Sequence, residues 1–252
     1  MRLTPTMNRR ALPRFLRRVS YGTRAVVSAS PTLYLPIARR RYRRDTENRV
    51  VDRDTEFVID GFQRSGNTFS VVAFETAQDR PVRTAHHLHA AAQIVAAARL
   101  RVPALVLIRE PADSVLSYMI REPEISARMV LSNWVRFYGT VASFKDRVVT
   151  ADFVEITTDF GSVIRRVNAH YGTTFKEFDH TDENVAQCFD LIERRSSQHY
   201  GTLVETKVPR PSAERERLKA ELQAAYNAND LAPLRAKAQR IYRALVSRPP
   251  VV

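Results

Sequence analysis

Residues 57–69, FVIDGFQRSGNTF, constrain the fold more than any other stretch. A short apolar run, Phe57-Val58-Ile59, stops at Asp60-Gly61. A compact loop follows, Phe62-Gln63-Arg64-Ser65-Gly66, and Asn67-Thr68 then open an apolar-rich segment from Phe69 to Ala77. The order this predicts is strand, glycine loop, helix. Such a loop turns backbone N–H groups and a helix N-terminus toward one point, which suits a phosphate. Only seven glycines occur in 252 residues, so the pair that brackets this loop carries weight.

From residue 56 onward, strand-like and helix-like segments alternate. The first strand is expected over 57–61 and its helix over 66–78. Val82-Arg83-Thr84 reads as a short strand, and the Ala-rich run 88–100 as a helix. Ala104-Leu105-Val106-Leu107-Ile108 is too apolar for a half-exposed edge and predicts a buried parallel strand. Pro111 then sits near the start of a helix over 111–121, where its missing N–H costs least. A long helical region is expected over 124–147, a strand over 152–156 and a further helix ending at Tyr171-Gly172. Helices are expected over 182–195, 212–226 and 230–247, with a polar loop at 198–213. The pattern predicts an α/β protein with three layers, α/β/α, around a mainly parallel sheet and a P-loop-like nucleotide site.

The charge is unevenly placed. The chain carries a formal +13, but residues 1–50 hold 13 arginines and two acids, Asp45 and Glu47, or +11. The remainder, 27 basic against 25 acidic residues, contributes +2. Residues 1–50 therefore read as a basic arm and 51–252 as a nearly neutral body. Within the arm, Arg9, Arg10, Arg14, Arg17, Arg18 and Arg24 alternate with Leu12, Phe15, Leu16 and Val19, the pattern of a basic amphipathic helix at a membrane surface. A solvated arm is the plainer alternative. The apolar stretch 25–38 is too short, and too broken by Pro31 and Pro36, to span a bilayer. No clean signal peptide is read. The lone cysteine, Cys188, permits no internal disulfide and suits a reducing, cytoplasmic location.

Gly61-x4-Gly66 matches the front half of a Walker A loop, but Asn67 stands at the lysine position. Thr68 fits the hydroxyl position, and the cation sits earlier, at Arg64. The second strong strand ends in Arg109, where a nucleotide kinase would need an acid for magnesium. The loop therefore reads as an anion site that works without a metal. Arg109 stands at the C-terminal end of a buried strand, where open α/β sheets bind ligands, and Ser117 follows eight residues later. Taken singly, Arg109 also reads as an ion-pair partner of Glu110 or Asp113.

These two segments together resemble the nucleotide-binding signatures of sulfotransferases that use 3′-phosphoadenosine 5′-phosphosulfate (PAPS). The family's P-K-S-G-T-T-W loop falls on Gln63, Arg64, Ser65, Gly66, Asn67, Thr68 and Phe69, with Arg64 for the lysine and Phe69 for the tryptophan. Its Arg and Ser that hold the 3′-phosphate fall on Arg109 and Ser117, roughly forty residues downstream. The resemblance implies that residues 64–69 bind the 5′-phosphosulfate, with Arg64 also stabilising the transferring group, and that PAP is the product. It further implies a general base for the acceptor proton. His87 has the family's spacing to the motif Arg, with His86 as runner-up and a carboxylate in Golgi-type members. The family's C-terminal basic loop has its nearest counterpart in 207–212, which contains Lys207 and Arg210. The resemblance implies a small-molecule, lipid or carbohydrate acceptor; the arm, by its own charge pattern, reads as a contact for an anionic membrane rather than nucleic acid. The rival readings are a P-loop nucleotide kinase and a non-catalytic anion- or membrane-binding protein with a vestigial loop.

Overall fold

The computed structural model describes residues 14–43, 49–200 and 213–247. Four strands, β1 (Phe57–Gly61), β2 (Thr84–His86), β3 (Ala104–Ile108) and β4 (Val149–Asp152), form one parallel sheet in the order β2-β1-β3-β4. Alternate strand residues feed two separate cores. Phe57, Ile59, Leu105 and Leu107 face one, which is closed by α3 (Asn67–Ala77), α8 (Phe160–Tyr171) and α9 (Asp182–Tyr200). Val58, Val106 and Ile108 face the other, closed by α4 (Ala91–Leu100), α5 (Pro111–Arg121) and α6 (Ala127–Ala142). Helices α10 (Ala213–Asn227) and α11 (Ala232–Val246) pack outside α5 and α6 on that side. The expected three-layer α/β fold is thus present, and burial on both faces explains the apolar runs Phe57–Ile59 of β1 and Ala104–Ile108 of β3.

Over its described part the basic segment packs one side on the body and leaves the other exposed. Helices α1 (Arg14–Val27) and α2 (Pro31–Tyr42) rest on α6 and α4, and Leu35 and Ala38 enter the core. No described helix is long and apolar enough to cross a membrane.

Several boundaries differ from expectation. Strand β2 lies two residues later than 82–84, which moves His86 to its last position and His87 just beyond. The strand expected over 152–156 is β4, over 149–152. It ends early because Asp152 accepts from Val154 N (2.8 Å) while Glu155 accepts from Asp152 N (3.0 Å), a capping box that starts α7 (Phe153–Thr158). The long helix expected over 124–147 ends at Ala142. Helix α9 runs on through residues 198–200, into the expected loop. Residues 201–212, including Lys207 and Arg210, lie outside the described residues.

Candidate functional site

The strand order sets the location. From β1 the chain crosses to β2 on one side, and from β2 it returns past β1 to β3 on the other. The C-terminal ends of β1 and β3 therefore flank a topological switch point, where open sheets of this kind leave a crevice. The loop 62–66 and Arg109 both sit there.

Two residues of that loop, Arg64 (φ 71°) and Gly66 (φ 89°), adopt left-handed backbone. This alternation curls the loop in the manner of an anion nest. Gly66 is the N-cap of α3 and offers no side-chain cap, so the first-turn N–H groups of the helix are left for the crevice. Gly61 has a different reason to be glycine. It pairs with Leu107, and a Cβ at this position would lie 2.2 Å from the Leu107 carbonyl oxygen.

Tyr138 on α6 fixes the loop from below. Its hydroxyl is fully buried, accepts from Phe62 N (3.2 Å) and donates to Leu107 O (2.7 Å). With its one proton so placed, the 3.2 Å contact to Ser65 Oγ requires Ser65 to donate. Burial pushes the Tyr138 pKa well above the ordinary phenol value. Asn67 braces the same loop through Nδ2 to Phe62 O at 3.0 Å. On the other side Ser114 Oγ donates to Gln63 O at 3.3 Å.

The two sequence motifs meet in this crevice. Arg64 Nε donates to Ser117 Oγ at 3.0 Å, and Arg109 Nη1 donates to Arg64 O at 3.4 Å. The Arg109 guanidinium lies 4.0 Å from the Phe153 ring centre, and its buried Nε has no hydrogen-bond partner. Burial pulls the Arg109 pKa down, opposed chiefly by Asp113, whose carboxylate is 3.8 Å away and half exposed. Lys219 of α10 approaches the same Asp113 at 3.6 Å and adds a third cation beside the crevice.

The histidines stand at the end of β2. His87 Nε2 is 3.4 Å from Thr68 Oγ1, and His87 Nδ1 is 2.6 Å from His86 Nδ1. Burial holds His87 well below the usual histidine range, and His86, His89, Arg49 and Arg121 push it the same way. Both His87 (φ 56°) and His89 (φ 50°) are left-handed, a conformation that costs a non-glycine residue about 1–3 kcal/mol. His89 is held there by Asp60, which accepts from His89 N at 3.0 Å, while His89 Nδ1 lies 2.9 Å from Gly61 O.

Arg64, Thr68, His87, Arg109 and Ser117 are thus gathered at one end of the sheet. Three other expected residues are placed differently. The side chains of Ser65 and Asn67 point back into the loop's supports. Phe69 is buried among Phe160, Phe178, His180 and Phe189, in the core beneath α3. Tyr138, Phe153 and Lys219 were not singled out for the site by sequence. Tyr138 lies on the long helix expected over 124–147.

A cavity of about 210 Å³ adjoins the loop. Gln63 and His89 reach it from the loop side, Tyr21 and Arg24 from α1, and Tyr118 and Arg121 from α5. A larger open cleft, about 620 Å³, lies between α10, α11 and the start of α5. Among the described residues no group of three or more His, Cys, Asp or Glu is arranged to hold a metal ion.

No family model matches the chain, and no curated protein matches it. Among solved structures, it is similar to mouse sulfotransferase SULT7A1 complexed with PAP. The TM-score is 0.42 and the identity 14%, over 77% of this chain and 91% of that one.

Proposed function

We propose that the chain is a sulfotransferase that moves a sulfuryl group from PAPS to an acceptor hydroxyl or amine. One observation carries the reading: the glycine loop and the Arg109/Ser117 segment, distant in sequence, are joined through Arg64 at a single strand-end crevice. Two guanidiniums, an uncapped helix N-terminus and an unpartnered buried Arg109 Nε fit a doubly phosphorylated nucleotide.

In this reading PAPS supplies an electrophilic sulfuryl group. The N–H groups of residues 64–68, with Arg64 and Thr68, bind its 5′ side; Arg109 and Ser117 hold the 3′-phosphate. Ser65, Asn67 and Phe69 act from beneath by keeping the loop and α3 in register. His87 takes the acceptor proton. Its depressed pKa keeps the imidazole neutral at pH 7, as a base requires. A base at Nε2 needs the ring proton on Nδ1, and the 2.6 Å contact gives that proton an acceptor in His86 Nδ1. His86 is then a positioning residue for His87. The acceptor enters through the cavity beside Gln63 and His89.

Titration of PAP by calorimetry, with EDTA present, tests this. The folded protein should bind PAP, and Arg109→Ala should weaken binding roughly 10–100-fold, the worth of hydrogen bonds to a charged group. No binding by folded protein, or nucleotide binding only as magnesium-ATP, would overturn the assignment in favour of the kinase reading.

A further inference from the structure

The outer faces of the first two helices are apolar where a water-facing helix should be polar. Six of the eight exposed large hydrophobic side chains among the described residues lie on α1 and α2. On α1, Phe15, Val19 and Val26 are 72%, 47% and 58% exposed, and they fall four and seven residues apart, on one helical face. On α2, Leu33 and Ile37 continue the pattern at 60% and 58% exposure, and the exposed Arg40 and Arg41 follow on the same side.

The inner face of α1 is firmly seated, so the apolar row has no freedom to turn inward. Arg17 pairs with Glu124, Tyr21 stacks on Tyr118 with ring centres 5.6 Å apart, and Arg24 Nη2 donates to Leu88 O at 3.0 Å. The turn after the helix is pinned as well, since Ala92 N donates to Ser28 O at 2.9 Å.

Charge identifies what covers this face. Residues 14–43 contain eight arginines and no acid; Arg17, Arg18, Arg24 and Arg39 bond to the body, while Arg40 and Arg41 stay exposed beside the apolar row. Two copies meeting through it would bring like charges together. A nucleic acid would satisfy the arginines but not Phe15, Val19 and Val26. A bilayer carrying anionic headgroups satisfies both, the acyl boundary taking the apolar row and the headgroups the arginines. We infer that α1 and α2 form a docking face for an anionic membrane surface. This stands independently of the proposed chemistry.

Sedimentation of the full chain with vesicles of phosphatidylcholine, with and without phosphatidylserine, tests the inference. Binding is expected only with the anionic lipid and should weaken as salt rises. Phe15→Ser with Val26→Ser should lower the partition coefficient at least about tenfold, because each large side chain contributes roughly that much when buried. Arg40→Gln with Arg41→Gln should lower it several-fold, at roughly 1 kcal/mol per charge near the surface. Both pairs lie on exposed positions, so unchanged thermal melting would show that the fold is intact. The inference is overturned if the folded chain ignores anionic vesicles, or if the Phe15/Val26 variant binds them as well as the parent. It is equally overturned if that variant instead abolishes a concentration-dependent dimer. A DNA duplex that competes fully for the same face, in the Phe15/Val26 variant as in the parent, would also overturn it.

Discussion

Tyr138→Phe tests whether the loop is held from below as described. The substitution keeps the ring and removes one oxygen. That oxygen serves Phe62 N, Leu107 O and Ser65 Oγ at 3.2, 2.7 and 3.2 Å in a fully buried position. A buried polar group left without a partner costs about 1–3 kcal/mol. Ser65 is able to rotate toward another acceptor, and a carbonyl tolerates the loss of one donor better than an N–H tolerates the loss of its acceptor. The net expectation is therefore about 2–3 kcal/mol, carried mainly by Phe62 N. Urea denaturation of the two proteins, compared at equal m-value, measures it. A second comparison isolates the network. Ser65→Ala should cost noticeably less in the Tyr138→Phe background than alone, because its acceptor is already gone. A loss under about 0.5 kcal/mol, or strict additivity of the two changes, would refute the idea that this hydroxyl ties the loop to β3.

Gly61→Ala should be among the most damaging single changes in the chain, costing about 3 kcal/mol or more, since the new Cβ meets a strand carbonyl at 2.2 Å that cannot swing aside. A melting temperature within about 3 °C of the parent would contradict that. His87 should make the protein acid-sensitive. Above the free imidazole value of about 6.5 both folded and unfolded states are neutral at this ring. Below it the unfolded chain takes up a proton that the folded ring, with its lowered pKa, refuses, so stability falls by up to about 1.4 kcal/mol per pH unit. His87→Gln should flatten that slope, and identical slopes in the two proteins would exclude His87 as its source.

What could be read from the sequence was local. Strand β3 and helix α5 have the expected bounds because an unbroken apolar run ends at a proline suited to a helix start. Arg64, Arg109 and Ser117 were picked out by type, spacing and resemblance, and they meet at one strand-end crevice. The misses are non-local. Phe153 was read as part of a strand over 152–156, yet a capping box starts a helix at it and its ring lies against the guanidinium of Arg109. Phe69 was assigned to the nucleotide through the resemblance, in the tryptophan's place; the aromatic rings that pack on it lie more than ninety positions downstream, out of reach of any local pattern. Tyr138 falls on the expected long helix, but its part as a hydrogen-bonding hub was not legible, since its three partners come from β3 and the loop. For α1, amphipathic character was visible, but which face turns inward is fixed by Glu124, Tyr118 and Leu88.

Helix α1 is one element thick between two surroundings. Tyr21 and Arg24 on its inner side wall the cavity beside the loop, while Phe15, Val19 and Val26 face outward. Any ligand of the cavity and any surface that covers the outer row therefore act on the same rigid body. Were contact at the outer face to shift α1, the cavity's affinity would change with it, and that linkage would be reciprocal. Whatever factor contact at the outer face applies to the cavity's affinity, occupancy of the cavity must apply to that contact.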